Sequence, residues 1–384
     1  LVPQTKTEAL PVTKADDLAA IIFTSGSTGP AKGVAFTHLN FDTQVSEIQK
    51  RYNIQPGEID LACFPFFGLF DCLMGVTTVI PDMNTSKPAT ANPAKLLEQA
   101  NRRKITQSFA SPAVWNKVAD YCLQTGKRFE TLKRAVSAGA PVSDKILKKL
   151  SKVLPVGADI FTPYGATESL PVASISYRER TAARSENKGN IGVCVGKRFD
   201  TIQWKIIKIT DEPITHLESD NTNFIGELCV SGPQVTKEYV NRPEANAVSK
   251  ITDKDGNVWH RIGDTGYIDE QDRFWFCGRK AHRVETPDGT LFSIPCEAVF
   301  NQHPNVYRSA LAKQQSAASA RIFIEPYIFP NTPKERDKLL AELRQLASAN
   351  PLTKTVSDIR ILKSFPVDVR HNIKINRELL STLR

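Results

Sequence analysis

The chain has 384 residues, of which 41% are hydrophobic and 24% charged, and its formal net charge is +9 at pH 7. Because no apolar run approaches the length that spans a bilayer, these values exclude a membrane-embedded chain and predict a soluble globular protein with one large core and one smaller core. Lysine and arginine are spread along the sequence and do not interleave with aromatic residues, so we interpret the charge as a solvated surface and predict no nucleic-acid partner.

The seven cysteines are scattered, odd in number and without any CxxC pair. This pattern argues against a disulfide framework and against a zinc site, and it predicts a reducing, cytoplasmic environment. The sequence starts without methionine and without a signal-peptide pattern. We therefore expect that this sequence is a fragment of a longer chain.

Short apolar or β-branched runs between turn residues predict strands. In chain order they are Leu18 to Phe23, Thr106 to Phe109, Ala135 to Ser137, Asp159 to Phe161 and Cys194 to Gly196. Apolar residues that return every three or four positions predict helices at Ala94 to Arg103 and at Ser143 to Leu154, where Ser143 caps the first turn. Alternating strands and helices predict a largely parallel sheet.

After about Ile202 the pattern changes to strands joined by tight turns. The pairs Asp255-Gly256 and Asp288-Gly289 are typical of hairpins. Further along, amphipathic helices are predicted at Pro333 to Ala347 and near Ile375 to Leu383. The last hundred residues therefore mix strands and helices again.

These elements predict an α/β fold with a domain boundary near Gly278. The large domain would cover residues 1–277, with mostly parallel sheets followed by a β-rich part. A small α+β domain would cover residues 278–384.

The strongest local signal is Thr24-Ser25-Gly26-Ser27-Thr28-Gly29-Pro30-Ala31-Lys32-Gly33, directly after the first predicted strand. Its glycines let the backbone approach a ligand, its hydroxyls and N–H groups can donate to phosphate oxygens, and Lys32 adds a positive charge. The spacing matches neither GxxxxGK[ST] nor GxGxxG. A serine- and glycine-rich linker is the alternative, but a linker has no reason to follow a buried strand. We predict a phosphate-binding loop.

This segment resembles the signature loop of the adenylate-forming superfamily, which includes acyl-CoA synthetases, luciferases and the adenylation domains of peptide synthetases. Further segments resemble that family's other motifs in the same order along the chain. They are Ser137-Ala138-Gly139-Ala140-Pro141, Tyr164-Gly165-Ala166-Thr167-Glu168, His260-Arg261-Ile262-Gly263-Asp264, Gly278-Arg279 and Asn372-Ile373-Lys374-Ile375.

The resemblance implies that the protein uses ATP and Mg²⁺. The residues implied to bind the nucleotide are Thr24, Ser25, Gly26, Ser27, Thr28, Gly29, Gly139, Ala140, Pro141, Tyr164, Gly165, Ala166, Thr167, Asp264 and Arg279. Asp264 is expected to accept hydrogen bonds from the ribose hydroxyls, a task that suits a carboxylate because it is an acceptor only. Arg279 would begin the hinge to the small domain.

Lys32, Glu168 and Lys374 are implied to be the catalytic residues. Glu168 would hold Mg²⁺, which neutralises the phosphates. Lys374 would be carried by the small, mobile domain to the place where negative charge accumulates between the attacking carboxylate and the α-phosphate. The implied reaction forms an acyl-AMP from a carboxylic acid and releases pyrophosphate.

Longer stretches resemble the β-lactone synthetases of bacterial olefin biosynthesis. They are Phe64 to Asp71, Thr162 to Glu168, Phe274 to Thr286 and Phe365 to Asn372. The likeness implies a 2-alkyl-3-hydroxy fatty acid as substrate, whose own hydroxyl closes a four-membered lactone and expels AMP. Ala281 and the segment Val284 to Gly289 depart from the usual CoA ligase pattern, which agrees with a reaction that needs no CoA. The aromatic run Phe64 to Asp71 has plain core packing as its alternative.

Two other functions stay open at this point. A long-chain fatty acid–CoA ligase fits the adenylation motifs equally well. An inactive nucleotide-binding scaffold would require the loss of a key charged residue, and Lys32, Glu168, Asp264 and Lys374 are all present. The expected partner is a small fatty acid or hydroxy acid, and a complex with other enzymes of the same pathway is left open.

Overall fold

The structure is a computed structural model of the chain. It describes residues 12–24, 30–139, 141–186, 191–217, 224–314, 319–367 and 375–383. Within these ranges, no helix is both long enough and apolar enough to cross a membrane.

Strands dominate the described chain. They are β1 (Leu18–Phe23), β2 (Gly33–Thr37), β3 (Ile59–Ala62), β4 (Thr77–Val79), β5 (Gln107–Ala110), β6 (Arg134–Ser137), β7 (Asp159–Ala166), β8 (Ser169–Ser176), β9 (Val193–Arg198), β10 (Gln203–Ile207), β11 (Gly226–Ser231), β12 (Lys250–Thr252), β13 (Val258–Ile268), β14 (Arg273–Arg279), β15 (Val284–Thr286), β16 (Gly289–Leu291), β17 (Val306–Lys313), β18 (Ala320–Pro326) and β19 (Asp358–Ile361).

Helices alternate with these strands. They are α1 (His38–Tyr52), α2 (Pro65–Met74), α3 (Pro93–Arg102), α4 (Pro112–Thr125), α5 (Asp144–Ser151), α6 (Tyr177–Glu186), α7 (Pro243–Ser249), α8 (Ser293–Phe300), α9 (Pro333–Ser348) and α10 (Arg377–Thr382). Polar caps fix several starts: Ser143 accepts a hydrogen bond from Ile146 N at the start of α5, as predicted. Thr332 and Glu335 form a capping box at the start of α9.

A twelve-stranded sheet spans most of the chain, in the order β10-β11-β13-β14-β9-β8-β7-β6-β5-β3-β4 with β12 paired to β13. In this sheet, neighbouring strands among β4, β3, β5, β6 and β7 are parallel. Neighbouring strands from β7 through β8, β9, β14, β13 and β11 to β10 are antiparallel. The predicted α/β fold is confirmed. The β-rich part continues the parallel part in one sheet, because β7 turns directly into β8.

The parallel half owes its core to the helices on one face. α3, α4 and α5 bury Leu96, Trp115 and Leu147 in one cluster with the strand residue Ile160. The indole of Trp115 donates to Val136 O at 3.0 Å, so the polar edge of this large buried ring is satisfied. This packing holds the carboxyl ends of β3, β5, β6 and β7 in a row along one edge of the sheet.

Residues beyond Arg279 build a second, smaller sheet. β17 pairs antiparallel with β18, and β19 pairs parallel with β18. Its core includes Phe300 and Leu343 from the flanking helices, and the buried members of this cluster all lie between Val284 and Ile361. Both predicted hairpin turns are present, since β12 pairs with β13 and β15 with β16.

One expectation about the first strand is wrong. Leu18 to Phe23 forms a strand, but it pairs antiparallel with β2 in a separate two-stranded sheet. Its apolar side chains are largely exposed in the structure, and Phe23 is 68% exposed. The predicted phosphate loop therefore joins two antiparallel strands and does not follow a buried one.

Candidate active site

The predicted adenine-binding segment follows β6 at the carboxyl edge of the parallel strands. Gly139 has a φ of +86°, and a Cβ built on it would meet no atom of the described residues within 4 Å. Pro141 is exposed nearby in sequence. The backbone at Gly139 is therefore bent in a way that favours glycine.

Tyr164, Asp264 and Arg279 meet beside this edge. The Tyr164 hydroxyl donates to Asp264 Oδ2 at 2.6 Å. Arg279 Nε lies 3.1 Å from Asp264 Oδ1, but within the described chain Oδ1 makes no hydrogen bond, although it is buried. The carboxylate is thus oriented by two neighbours and keeps one acceptor oxygen for a hydroxyl group.

Pairing of distant strands creates this triad. Asp264 on β13 is opposite Arg279 on β14 in the register of the sheet. Tyr164 comes from β7, which belongs to the parallel half. Sequence motifs identify each residue singly, but only the strand order brings them into contact.

The electrostatics of the triad favour a fixed arrangement. Burial raises the pKa of Asp264, and Arg279 and Tyr164 partly offset this effect. Burial and the neighbouring carboxylate raise the pKa of Tyr164 well above its usual range, so its hydroxyl stays a donor. Asp264 is the main cause of the raised pKa of Arg279.

Gly165 has a structural explanation that does not need a ligand. A Cβ at this position would lie 2.6 Å from Ser169 O and 2.9 Å from the Leu170 side chain. The register between β7 and β8 shifts here, between Tyr164 and Ala166. Glycine is therefore required for the close approach of the two strands at the turn that carries Thr167 and Glu168.

Glu168 is held by the segment that follows β11. Tyr239 donates its hydroxyl to Glu168 Oε1 at 2.5 Å. The main chain of Glu168 is fixed too, because its carbonyl accepts from Thr236 N at 2.9 Å and from Thr236 Oγ1 at 3.0 Å. Burial raises the pKa of Tyr239 above its ordinary value, with Glu168 as the next cause, so Tyr239 donates at neutral pH.

Two lysines approach the ring of Tyr239. Lys32 Nζ lies 4.6 Å and Lys250 Nζ 5.6 Å from the ring centroid. Lys250 Nζ also donates to Thr236 O at 2.5 Å. Burial lowers the pKa of Lys250 to about 7, Glu168 opposes this shift, and Lys32 adds to it.

The single carboxylate of Glu168 suits a Mg²⁺ ion that is bound together with a nucleotide. Within the described residues, no group of three or more histidine, cysteine, aspartate or glutamate side chains could hold a metal alone. Mg²⁺ commonly needs only one or two carboxylates, because substrate phosphates and waters complete its octahedron. Glu168 is such a carboxylate, and a bound Mg²⁺ would neutralise charge on the phosphates.

Some of the predicted nucleotide-binding and catalytic residues lie in the described part of the chain, and others do not. Lys32 and Glu168 both contact Tyr239, and Tyr164, Asp264 and Arg279 form the triad. Ser25, Gly26, Ser27, Thr28, Gly29, Ala140 and Lys374 lie outside the described residues. Thr24 closes the base of the loop, since its Oγ1 accepts from Lys32 N at 3.1 Å and its N–H donates to Lys32 O at 3.0 Å.

No sequence pattern predicted that Thr236, Tyr239 and Lys250 belong to this site. Thr236 and Tyr239 lie in the irregular stretch after β11, and Lys250 is the first residue of β12. None of the three has a local pattern that indicates a ligand. An isolated bridge between Ser169 and Val235 brings Thr236 and Tyr239 to Glu168, and the pairing of β12 with β13 positions Lys250. The sequence does not reveal either pairing.

Arg261, next to the triad in sequence, has a different task. It forms an ion pair with Glu227 at 2.7 Å, and both side chains are only 1% exposed. Arg261 also donates to the carbonyls of Thr210, Glu212 and Val248. This network holds the segment after β10 and the end of α7 against β13 and so supports the position of Asp264.

Comparison with known proteins settles the family. The sequence profile of the AMP-binding enzymes matches residues 2–240, well over half of the chain. This chain belongs to the AMP-binding enzyme family. Among relatives, this AMP-binding enzyme is 41% identical to the olefin beta-lactone synthetase of Xanthomonas campestris pv. campestris over 380 residues, which cover 96% of this chain and 67% of the relative.

A second relative gives the same result. The olefin beta-lactone synthetase of Stenotrophomonas maltophilia is 39% identical over 97% of this chain and 68% of its own length. Among solved structures, O-succinylbenzoate coenzyme A synthetase from Bacillus subtilis, in complex with ATP and magnesium ion, matches with a TM-score of 0.74 and 20% identity. The match covers 96% of this AMP-binding enzyme and 70% of the other chain, and it shows that the two share a fold.

Proposed function

We propose that this AMP-binding enzyme activates a 2-alkyl-3-hydroxy fatty acid as an acyl-AMP and then closes it to a β-lactone. The observation that carries the adenylation step is the buried Asp264 carboxylate, which is oriented by Tyr164 and Arg279 and whose Oδ1 accepts no hydrogen bond from the described residues. The observation that favours the lactone is the identity of about two residues in five to proteins named olefin beta-lactone synthetase along nearly the whole chain.

The proposed first step is a displacement at the α-phosphorus of ATP. A substrate carboxylate oxygen bonds to this phosphorus, the bond to the bridging oxygen of the β-phosphate breaks, and pyrophosphate leaves. Asp264 would hold the ribose, while Lys32 and the phosphate loop would hold the triphosphate near Glu168. We propose that Lys374 stabilises the charge that develops between carboxylate and phosphate.

The proposed second step is intramolecular. The 3-hydroxyl oxygen bonds to the acyl carbon, its proton passes to solvent, and the bond from the acyl carbon to the AMP oxygen breaks. Because the hydroxyl is tethered to the activated carbonyl, a high effective concentration offsets part of the ring strain. No second substrate is needed, and AMP is a good leaving group.

An aromatic surface at the same sheet edge supports an acyl substrate. Phe64 lies just after the end of β3, and Phe109 lies near the end of β5. Phe67 on α2 stacks on Phe109 with ring centroids 3.6 Å apart. Phe64 is 40% exposed, so one ring of this cluster is accessible at the surface. Since the carboxyl ends of parallel strands form one edge, this surface lies in the same row as Gly139 and Tyr164.

We also propose the division into residues 1–277 and 278–384, with the second part as a lid. Support comes from Gly278, whose φ is +133° and whose added Cβ would lie 2.3 Å from Ser293 Oγ. The chain leaves the large sheet directly afterwards. Lys280 and Arg283 then pair with Glu227 and Asp211. Ion pairs thus occupy the segment that departs from the CoA ligase pattern. A cytoplasmic location and a pathway complex stay predictions.

Product analysis tests this function. Purified enzyme would receive ATP, Mg²⁺ and either a 2-alkyl-3-hydroxy fatty acid or the matched acid without the hydroxyl, each with and without CoA. We expect AMP release and a product lighter than the hydroxy acid by one water, independent of CoA. The matched acid should stall as an enzyme-bound adenylate. A CoA thioester of the plain acid would instead support the fatty acid–CoA ligase.

A further inference from the structure

Lys250 is a half-buried cation that the proposed mechanism has not used. It begins β12 and is opposite His260 of β13 in the sheet register. Its ammonium donates to the carbonyl of Thr236, the residue whose N–H and hydroxyl bind the main chain of Glu168. Strand pairing therefore fixes Lys250 against the segment that holds the metal-binding carboxylate.

The second observation is that Lys250 and Lys32 both approach the ring of Tyr239. Both ammonium groups lie within 6 Å of the Tyr239 ring centroid, and the hydroxyl of that ring binds Glu168. The charged groups in this cluster are thus two lysines and one carboxylate. Burial keeps His260 neutral at neutral pH by lowering its pKa well below the usual range.

When Lys250 is protonated, two cations beside one carboxylate leave the cluster with a net positive charge in a partly desolvated place. Such an arrangement costs free energy in a protein that binds nothing there, because like charges repel more strongly away from water. An anionic ligand of high charge density removes that cost. The predicted phosphate loop ends at Lys32, so a polyphosphate bound by that loop is the anion that would extend from Lys32 toward Lys250.

We propose that Lys250 is a second phosphate-binding lysine, which together with Lys32 contacts the pyrophosphate part of ATP. This inference rests on the proposed function and deepens it. Lys250 would bind the β- and γ-phosphates in the substrate complex and the pyrophosphate after it leaves. AMP lacks both phosphates, so Lys250 would contribute nothing to AMP affinity.

The alternative is that Lys250 only supports the main chain of Thr236. Two substitutions separate these roles. Lys250→Gln keeps a hydrogen-bond donor for Thr236 O and removes the charge, whereas Lys250→Arg keeps the charge. Lys237→Met is the matched control, because Lys237 is on the same segment but is exposed and pairs with Asp16.

Calorimetric titration with Mg²⁺-pyrophosphate, Mg²⁺-ATP and AMP tests the proposal, with thermal unfolding of each variant as the check on folding. We expect Lys250→Gln to weaken pyrophosphate and ATP binding by about 10-fold to 100-fold and to leave AMP binding within about twofold. Lys250→Arg should retain most of the affinity for pyrophosphate, and Lys237→Met should match the wild type.

The proposal is overturned if Lys250→Gln binds pyrophosphate as the wild type does, or if it loses AMP and pyrophosphate affinity equally while Lys250→Arg does the same. The first result means no phosphate contact, and the second means a structural role. Failure of the wild-type enzyme to bind either ATP or AMP is a different result, since it would remove the proposed function itself.

Discussion

At the scale of single residues, Asp264 shows how a buried charge can be held ready for a ligand. An isolated buried carboxylate is expensive, and here Arg279 and Tyr164 reduce that cost without using every acceptor position. The carboxylate is therefore kept in place before the nucleotide arrives. Such preorganisation lowers the cost of binding, because little has to move.

The Asp264→Asn variant tests the ribose contact. An amide can accept through one oxygen only, and its NH₂ would face the Tyr164 hydroxyl or the Arg279 guanidinium, so we expect AMP affinity to fall by about 10-fold to 100-fold. The sharper measurement compares AMP with 2′,3′-dideoxy-AMP. The wild type should prefer AMP, and the variant should lose most of that preference.

Pyrophosphate serves as the internal control for Asp264→Asn, because it carries no ribose and should bind with unchanged affinity. Tyr164→Phe removes one donor and leaves the carboxylate, so it should reduce AMP binding less. Equal preference for AMP over the dideoxy compound in wild type and Asp264→Asn would show that Asp264 does not read the ribose.

At the scale of elements, local patterns predicted strands and helices well where capping and turn residues mark their ends. α9 was expected at Pro333 to Ala347 and runs from Pro333 to Ser348. β7 was expected to end at Phe161 but continues to Ala166, because its second half pairs with β8 in a hairpin that the sequence does not announce. Exposure of β1 was also missed, since an apolar run does not reveal its pairing partner.

The same limit applies to the site. Motifs located Glu168, Asp264 and Arg279, whereas Lys250 became visible only through the pairing of β12 with β13. Long-range strand pairing is set by the packing of the whole sheet, and a local pattern of residues cannot encode it.

Two buried carboxyl groups lie where β3, α2 and β4 meet. They predict that the stability of the fold depends on pH. Asp60 on β3 and Asp71 on α2 are both buried, and Thr78 on β4 donates to Asp71 Oδ2 at 2.7 Å. Burial, and then the neighbouring Asp71, raise the pKa of Asp60 well above its ordinary value of 3.8. The folded state therefore keeps a proton that the unfolded state releases.

Protonation of Asp60 stabilises the folded state, and this stabilisation is fully present below pH 3.8. It is lost as the pH rises through the higher pKa that Asp60 has in the folded state. Asp60→Asn supplies a neutral side chain at every pH. We expect the free energy of unfolding of the variant, minus that of the wild type, to increase between about pH 4 and pH 8 by up to about 1.4 kcal/mol per pH unit within the titration window.

Urea unfolding at a series of pH values measures this difference. Asp82→Asn is a matched control, because Asp82 lies in an exposed ion pair with Lys95 and such pairs contribute little. If the free energies of unfolding of Asp60→Asn and wild type differed by the same amount from pH 4 to pH 8, this would contradict the proton that the folded state is expected to keep on this pair.

At the scale of the whole molecule, the large sheet joins two kinds of structure that each supply part of the site. The parallel half provides Gly139 and the aromatic surface at its carboxyl edge, and the antiparallel half provides Asp264 and Lys250. Tyr164 and Glu168 lie at the strand and turn where the two halves meet. A ligand bound across this junction contacts both halves at once.

The central claim is that a substrate carboxylate attacks the α-phosphorus of ATP. An isotope experiment tests it most directly: the 3-hydroxy acid is labelled with ¹⁸O at both carboxylate oxygens, and the products are weighed by mass spectrometry. We predict one ¹⁸O in AMP, one in the carbonyl of the lactone and none in pyrophosphate. Unlabelled AMP, or ADP formed with labelled phosphate, would contradict the account.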